Sequence, residues 1–395
     1  MTARHDVMGW TPVLVGIALS IGVTWFVAVP AYWWLGIWFC VSVARVLGSD
    51  SSVRKILWFN AAVLLLVLSG VVLYMSEAPK AKKTPDNPEF RDVRHDFLGY
   101  MPNPGQQARF KRVRGGKLIY DVVYTVDGNG LRVSPPQEEN RENECILFFG
   151  GSDVFGQGLN DEETLPYRVG IEMGSRYQVY NFGYKGYGPH HMLAALELGW
   201  VDSIIDCEPR YVIYQGGEGH IPRAVGLSAW DDYGPYFELT QEGEAEYKGQ
   251  FDDPDRPIGS FSRFLAVSGL QTTIPGLHRA SDGDDYDLFL AILHNARRHV
   301  MKNYPGAEFH VLFWDEPRRG GLFPLYLFDW SRPPLLEGLE QSDLEVHRMT
   351  EILPDLAHDP GQYKITGDSH PNAMAQAMTA KYLAREFSQM SGVDR

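Results

Sequence analysis

The chain has 395 residues and a formal net charge of −14 at pH 7, with 36 Lys and Arg against 50 Asp and Glu. That balance lacks the clustered basic footprint that phosphate backbones require, so no nucleic-acid partner is expected. The length exceeds one average domain, and three cysteines, Cys40, Cys145 and Cys207, supply neither a disulfide framework nor a zinc site. One bridge between Cys145 and Cys207 stays open as an alternative.

Three apolar runs open the chain: Trp10 to Val29, Ala31 to Leu47 and Ile56 to Tyr74, the first two separated by Pro30. Runs of about 20 residues with no polar stripe match the hydrocarbon core of a bilayer. Residues 1–75 are therefore expected to be an α-helical anchor of about three transmembrane helices in contact with lipid. A continuous pair bent at Pro30, dipping and returning, is the rival to separate first and second spans. No small-residue cleavage site follows the first run, which argues against a removed signal peptide. Arg4, and Arg45, Arg54 and Lys55 between the second and third runs, place both loops in the cytoplasm by the positive-inside bias. Lys80, Lys82 and Lys83 pull the other way, but a long following domain translocates regardless of such charges. The expectation is a multi-pass protein of the cytoplasmic membrane with everything after about Ser76 on the extracytoplasmic side.

Residues 76–92, rich in Pro, Lys and Asp, read as an exposed linker. A small β-rich segment, 93–142, follows: Lys117 to Thr125 is dense in β-branched and aromatic residues, and Asp127-Gly128-Asn129-Gly130 offers turn chemistry before Leu131-Arg132-Val133, which predicts a hairpin. From 143 to 395, strand patterns at Cys145 to Phe149, Gln178 to Phe182, Tyr211 to Tyr214 and Phe309 to Phe313 alternate with helical ones. The helical patterns lie at Glu162 to Met173, His190 to Val201, Tyr286 to Lys302, Glu340 to Ile352 and Asn372 to Phe387. The alternation predicts an α/β fold with a parallel sheet covered on both faces, whose ligands bind at the carboxyl ends of the strands. A stretch at about 218–285, rich in Gly, Pro, Asp and aromatics, reads as an insertion near that site.

The first of these strands runs into Gly150-Gly151-Ser152. Glycines beside a serine at a strand's carboxyl end let the backbone turn sharply and aim the hydroxyl into the crevice. Alone, such a sequence is a connecting turn. It lacks the Gly-Lys-Ser/Thr ending of a P-loop, the G-x-G-x-x-G spacing and the G-x-S-x-G elbow. A serine needs a base, and the base an orienting acid; Asp368-Ser369-His370-Pro371-Asn372, just before the last helical pattern, offers both. Of the 12 histidines, His190, His191, His294, His299 and His310 read as structural or merely exposed. Gly183, following the second strand, has an N–H suited to stabilising an oxyanion.

Taken together, the blocks Phe149-Gly150-Gly151-Ser152 with Phe155-Gly156-x-Gly158, Asn181-Phe182-Gly183 with Gly186-Tyr187-Gly188-Pro189, and Asp368-x-His370-Pro371-Asn372 resemble the SGNH or GDSL-like hydrolase family. The resemblance extends from about Cys145 to Phe387 and is nearest to the subgroup associated with extracytoplasmic polysaccharide and lipid acylation. It implies a flavodoxin-like three-layer sandwich, serine ester chemistry on Ser152, His370 and Asp368, an oxyanion hole from the N–H groups of Ser152 and Gly183, and no metal or organic cofactor. It also implies an acylated glycan or lipid as substrate and envelope polysaccharide machinery as partner.

Three departures stand out. Gly-Gly-Ser replaces Gly-Asp-Ser. Glu218 occupies the place of the family's oxyanion Asn, and a carboxylate donates no hydrogen bond unless protonated; His220 or a backbone N–H takes over, or the hole has two donors. Asp368 and His370 are separated by one residue, as in relatives that acetylate polysaccharides. Glu218, Arg223 and Trp230 are candidate substrate contacts, and Tyr233, Tyr236 and Phe237 share with Trp230 the readings of sugar platform or local core. A non-catalytic scaffold subunit of a glycan-modifying complex and a lipid esterase or thioesterase are the alternative functions.

Overall fold

The computed structural model describes residues 31–47, 51–77, 90–136, 143–174, 176–228, 230–253, 283–316 and 335–390. Two units separate: one holds residues 1–82 and 257–280, the other 83–256 and 281–395.

In the first unit the second and third apolar runs form helices α1 (Ala31–Leu47) and α2 (Ser52–Glu77), with Ser42, Trp58 and Ala62 buried and Ile37, Leu47, Ile56, Leu57 and Phe59 exposed. Among the described residues no helix is long and apolar enough to cross a membrane. The 17 residues of α1 reach about 26 Å at 1.5 Å per residue, short of a hydrocarbon core of roughly 30 Å. The expected first span, Trp10 to Val29, and most of the expected linker lie outside the described residues.

In the second unit, β5 (Glu144–Gly150), β6 (Gln178–Asn181), β7 (Glu208–Gly216), β10 (Glu308–Phe313) and β11 (Glu345–Arg348) form one sheet, ordered β11-β10-β7-β5-β6, with every neighbouring pair parallel. Side chains alternate across a strand, and here both sides are apolar: Leu147, Phe149, Val212 and Val311 belong to one core, Ile146, Phe148, Ile213 and Leu312 to the other. A sheet buried on both faces needs a helical layer on each. Helix α3 (Leu165–Glu172) and the last helix, Ala373–Met390, cover one face through Val169, Leu383 and Phe387. Helices α4 (Pro189–Glu197) and α5 (Gly283–Asn303) cover the other through Leu193, Phe289 and Leu293. The last helix is α6. This is the expected flavodoxin-like sandwich, and its parallel order brings the carboxyl ends of β5, β6 and β7 to one edge.

Three expectations need correction. The segment Glu340 to Ile352 is not one helix but a helical turn (Leu335–Glu340), β11 and another turn (Met349–Ile352). Its Glu345-Val346-His347-Arg348 buries His347 and pairs with β10 as the edge strand of the sheet. The helix expected from His190 to Val201 breaks at Gly199, which takes a left-handed conformation with φ 76°. The main hairpin of the β-rich segment joins β3 (Gln107–Arg114) to β4 (Lys117–Thr125) through Gly115-Gly116. The Asp127–Gly130 turn does return the chain, and Arg132 then bridges both Val126 and Asn181, docking the segment on the edge strand β6.

The remaining strands are β1 (Asp92–His95) with β2 (Gly99–Pro102), and β8 (Pro235–Leu239) with β9 (Ala245–Gln250), two antiparallel pairs. The second pair builds the described part of the insertion; residues 254–282 lie outside the description. Cys145, at the start of β5, is bonded to Cys207, just before the neighbouring β7, with Cα atoms 5.9 Å apart.

Candidate active site

The turn after β5 is set by Gly150, whose φ of 153° is open to glycine and whose Cβ, if present, would lie 2.6 Å from the Gln215 carbonyl. Ser152 then opens the helical turn Ser152–Phe155. Its N–H, like others in a first turn, has no acceptor within the turn. Two hundred residues further on, the loop before α6 is closed by hydrogen bonds from Ile365 N to His370 O (2.9 Å) and from Asp368 N to Ile365 O (2.8 Å). Asn372 caps α6 by accepting from Ala375 N at 3.0 Å. That loop delivers His370 Nε2 to 2.9 Å from Ser152 Oγ.

On its other side, His370 Nδ1 is hydrogen-bonded to Asp368 Oδ1, which also accepts from His370 N at 3.0 Å. With the Nδ1 proton directed at the carboxylate, Nε2 keeps a lone pair for the serine hydroxyl. The fold thus brings Ser152, His370 and Asp368 into one hydrogen-bonded line.

A fourth group was not foreseen. Arg112 of β3 donates to the second oxygen of Asp368, whose side chain is almost fully buried. Burial pushes the Asp368 carboxyl up, but hydrogen bonds and charge from His370, together with Arg112, outweigh it and hold it at about 2. A lowered carboxyl pKa favours folding above the unfolded value of about 4, and that contribution is lost as pH falls toward 2. Arg112→Gln is therefore expected to raise the pH midpoint of acid unfolding, followed by tryptophan fluorescence. An unmoved midpoint would show that Arg112 does not hold this charge.

Gly183 is brought beside the nucleophile turn, where a Cβ would meet Val154 at 2.6 Å. Its N–H, however, donates to Asn181 Oδ1 at 3.0 Å, while Asn181 Nδ2 donates to the Val154 carbonyl at 3.0 Å. This short side-chain turn satisfies the N–H that the sequence offered as a free oxyanion donor, as asparagine at a strand end commonly does.

Glu218 begins the 3-10 turn Glu218–His220 at the end of β7, and the residue that reaches the nucleophile strand from this turn is His220. A Cβ on Gly151 would lie 3.2 Å from His220 Nε2, 2.7 Å from Arg223 Nη1 and 3.1 Å from the Tyr187 carbonyl. The space that an aspartate of a Gly-Asp-Ser block would need is filled by these groups. His220 is buried, and its Nδ1 lies 2.6 Å from the Tyr214 hydroxyl. Burial lowers its pKa well below 6.5, reinforced by Arg223, His190 and His191, so the ring is neutral. Burial also raises the Tyr214 pKa well above 10, so the phenol keeps its proton. A Tyr214 O–H donated to Nδ1 leaves the His220 proton on Nε2, facing Gly151.

Trp230 is 59% exposed and its indole Nε1 donates to the Gly186 carbonyl at 3.4 Å, whereas Phe237 is fully buried core. The neighbouring Asp231 is buried, with His190 Nε2 2.9 Å from Oδ2 and His191 Nε2 3.4 Å from Oδ1. Burial, with His191, lowers His190 to about 4; Asp231 is raised by burial but held at about 2 by the two imidazoles. The trio ties the insertion to the first turn of α4. Among the described residues it is the grouping whose atoms, within 4.8 Å of one another, are close enough to hold a metal ion.

No family model matches the sequence, and no curated protein does. Solved structures similar to the chain include a member of the lipolytic protein G-D-S-L family from Veillonella parvula, at 14% identity, covering 62% of this chain and 97% of that one with a TM-score of 0.34. A carbohydrate esterase family 2 enzyme plus carbohydrate binding domain from Corynascus thermopiles (Myceliophthora fergusii) is 14% identical, covering 68% and 71% with a TM-score of 0.36. An acetyl xylan esterase from Butyrivibrio proteoclasticus is 11% identical, covering 68% of each chain with a TM-score of 0.33.

Proposed function

We propose that this chain is a membrane-tethered serine enzyme of acyl esters that acts on acylated cell-envelope glycans on the extracytoplasmic side. The observation that carries this reading is the hydrogen-bonded line from Ser152 through His370 to Asp368. His370 takes the hydroxyl proton as Ser152 attacks the acyl carbonyl, and Asp368 holds the imidazole tautomer and stabilises the imidazolium. The collapse of the tetrahedral intermediate expels the alcohol, which receives the proton from His370. Water or a sugar hydroxyl, giving its proton to His370, then takes the acyl group from Ser152, whose oxygen recovers that proton as it leaves, making the enzyme a hydrolase or an O-acyltransferase.

Tethering is supported by the three apolar runs of residues 1–75 and by the exposed apolar side chains of α1 and α2. The extracytoplasmic side is supported by the Cys145–Cys207 bridge, since disulfides persist in oxidising compartments.

The oxyanion is met by the Ser152 N–H and by His220 Nε2–H, the latter standing in for the side-chain amide that Glu218 cannot supply. Loss of one such donor costs about a hundredfold in kcat. His220→Ala is expected to show that loss with KM little changed, and His220→Asn to recover part of it; a kcat within threefold of wild type would remove His220 from the hole.

A serine-directed fluorophosphonate tests the whole reading. The full chain in detergent should be labelled and Ser152→Ala should not. No labelling of the wild type, under conditions that label a control serine esterase, would overturn it.

A further inference from the structure

Among the described residues Arg223 makes no ion pair, although its charge, after that of His370, acts on the buried Asp153 carboxyl, which burial raises. The contacts of Arg223 are the Tyr187 carbonyl, to which Nη1 donates at 2.7 Å, and the Trp230 ring, whose centroid is 5.9 Å from the guanidinium carbon. Other arginines near the nucleophile turn are paired, Arg112 with Asp368 and Arg132 with Asp161. A guanidinium offers five N–H donors in a fixed fork; one bond to a carbonyl leaves most of them unused, and none of the Arg223 nitrogens is both buried and unpaired. The group is therefore half-buried, charged and open to a ligand. It lies against the residue preceding the nucleophile, at 2.7 Å from where a Gly151 Cβ would stand. Trp230, whose ring the guanidinium faces, is itself exposed.

From this arrangement we infer that the substrate is an O-acylated sugar that also bears a carboxylate, with the carboxylate on the Arg223 fork and a sugar face on Trp230. Both groups flank Gly151, Ser152 as its neighbour in the chain and Arg223 through the approach of Nη1 to its Cβ position, and planar carboxylates match a guanidinium with two parallel hydrogen bonds. A chain of net charge −14 exerts no long-range pull on an acidic glycan. Selection must then be local, and a single arginine beside the reacting serine provides it.

This inference rests on the esterase reading for its chemistry, but its test has an arm that does not. On the full chain in detergent, kcat/KM is compared for a matched pair, acetylated glucuronate and acetylated glucose. The wild type is expected to favour the acid by about tenfold or more, the worth of one charge-assisted bidentate contact. Arg223→Gln is expected to bring the ratio toward one, and Arg223→Lys, which keeps the charge and loses the fork, to fall between. In parallel, acetylated glucuronate is titrated calorimetrically into Ser152→Ala and into Ser152→Ala/Arg223→Gln, where a loss of about tenfold in affinity is expected from the arginine change. A wild-type ratio near one, a ratio that survives Arg223→Gln, or equal affinities of the two serine-less chains would each overturn the acidic-sugar inference. Failure of the esterase reading shows separately, as absent fluorophosphonate labelling of wild type with the affinity difference intact.

Discussion

Ser152→Ala is expected to lower turnover of a soluble acetyl ester by about ten-thousandfold or more, because the replacement removes the hydroxyl that lies 2.9 Å from His370 Nε2. His370→Ala is expected to cost nearly as much. The double variant should be hardly worse than either, since groups that act as a unit are grossly non-additive. Asp368→Asn should leave the geometry but misdirect the His370 proton, because an amide can present its NH2 to Nδ1 and drive the proton to Nε2, where it blocks the serine. Initial rates with p-nitrophenyl acetate decide this. More than a tenth of the wild-type rate in Ser152→Ala would sink the nucleophile assignment, and multiplicative losses in the double variant would mean that Ser152 and His370 act apart.

The parts of this site that could be read from sequence were those encoded by neighbours in the chain. A run of apolar residues ending in Gly150-Gly151-Ser152 carries its own instruction to stop a strand and turn, and Asp368 and His370 lie two positions apart on one loop. The four main strands and the helices that cover them follow from periodicity alone. What sequence did not yield were contacts made only by folding. Arg112 stands 256 residues from Asp368, and nothing in Lys111-Arg112-Val113-Arg114 marks it as more than a basic strand. The Cys145–Cys207 pairing depends on β5 and β7 being neighbours, which the spacing of 62 residues does not say. β11 was hidden by its brevity, since four residues beside helical turns have too few alternations to outvote a helical pattern. Asn181 is a subtler case. Its position at a strand end is plain in the sequence, but whether its carboxamide would bond the Gly183 N–H or leave it free depended on Val154 offering a carbonyl for the other half of the amide.

Arg132 is where the largest loss of stability is expected. Its side chain is fully buried, yet every face of the guanidinium is engaged: Nε with Asp161 at 2.9 Å, Nη1 with the carbonyls of Phe155 and Gly156 at 2.9 and 2.8 Å, and Nη2 with those of Leu159 and Val123 at 2.7 and 3.3 Å. The ring of Tyr124 lies 4.3 Å from its guanidinium carbon. Burial lowers the pKa of Arg132, with Asp161 opposing, and an arginine stays charged in any case. A single side chain thus fastens the loop that follows the nucleophile turn to β4 and, through the backbone bridge to Asn181, to β6. Arg132→Met keeps volume and removes every one of those donors, leaving Asp161 without its partner and several carbonyls with nothing to bond. Breaking a buried pair in this way costs about 3 to 5 kcal/mol, which for a domain of this size lowers the thermal midpoint by roughly 10 °C. Arg132→Lys should recover little, because one ammonium cannot span acceptors on both sides of the fork. Thermal unfolding of the full chain in detergent, followed by circular dichroism, measures both. If either variant melts within about 2 °C of wild type, the loop after Ser152 is held by its own packing, and the β-rich segment is an ornament on the catalytic sheet and not part of its frame.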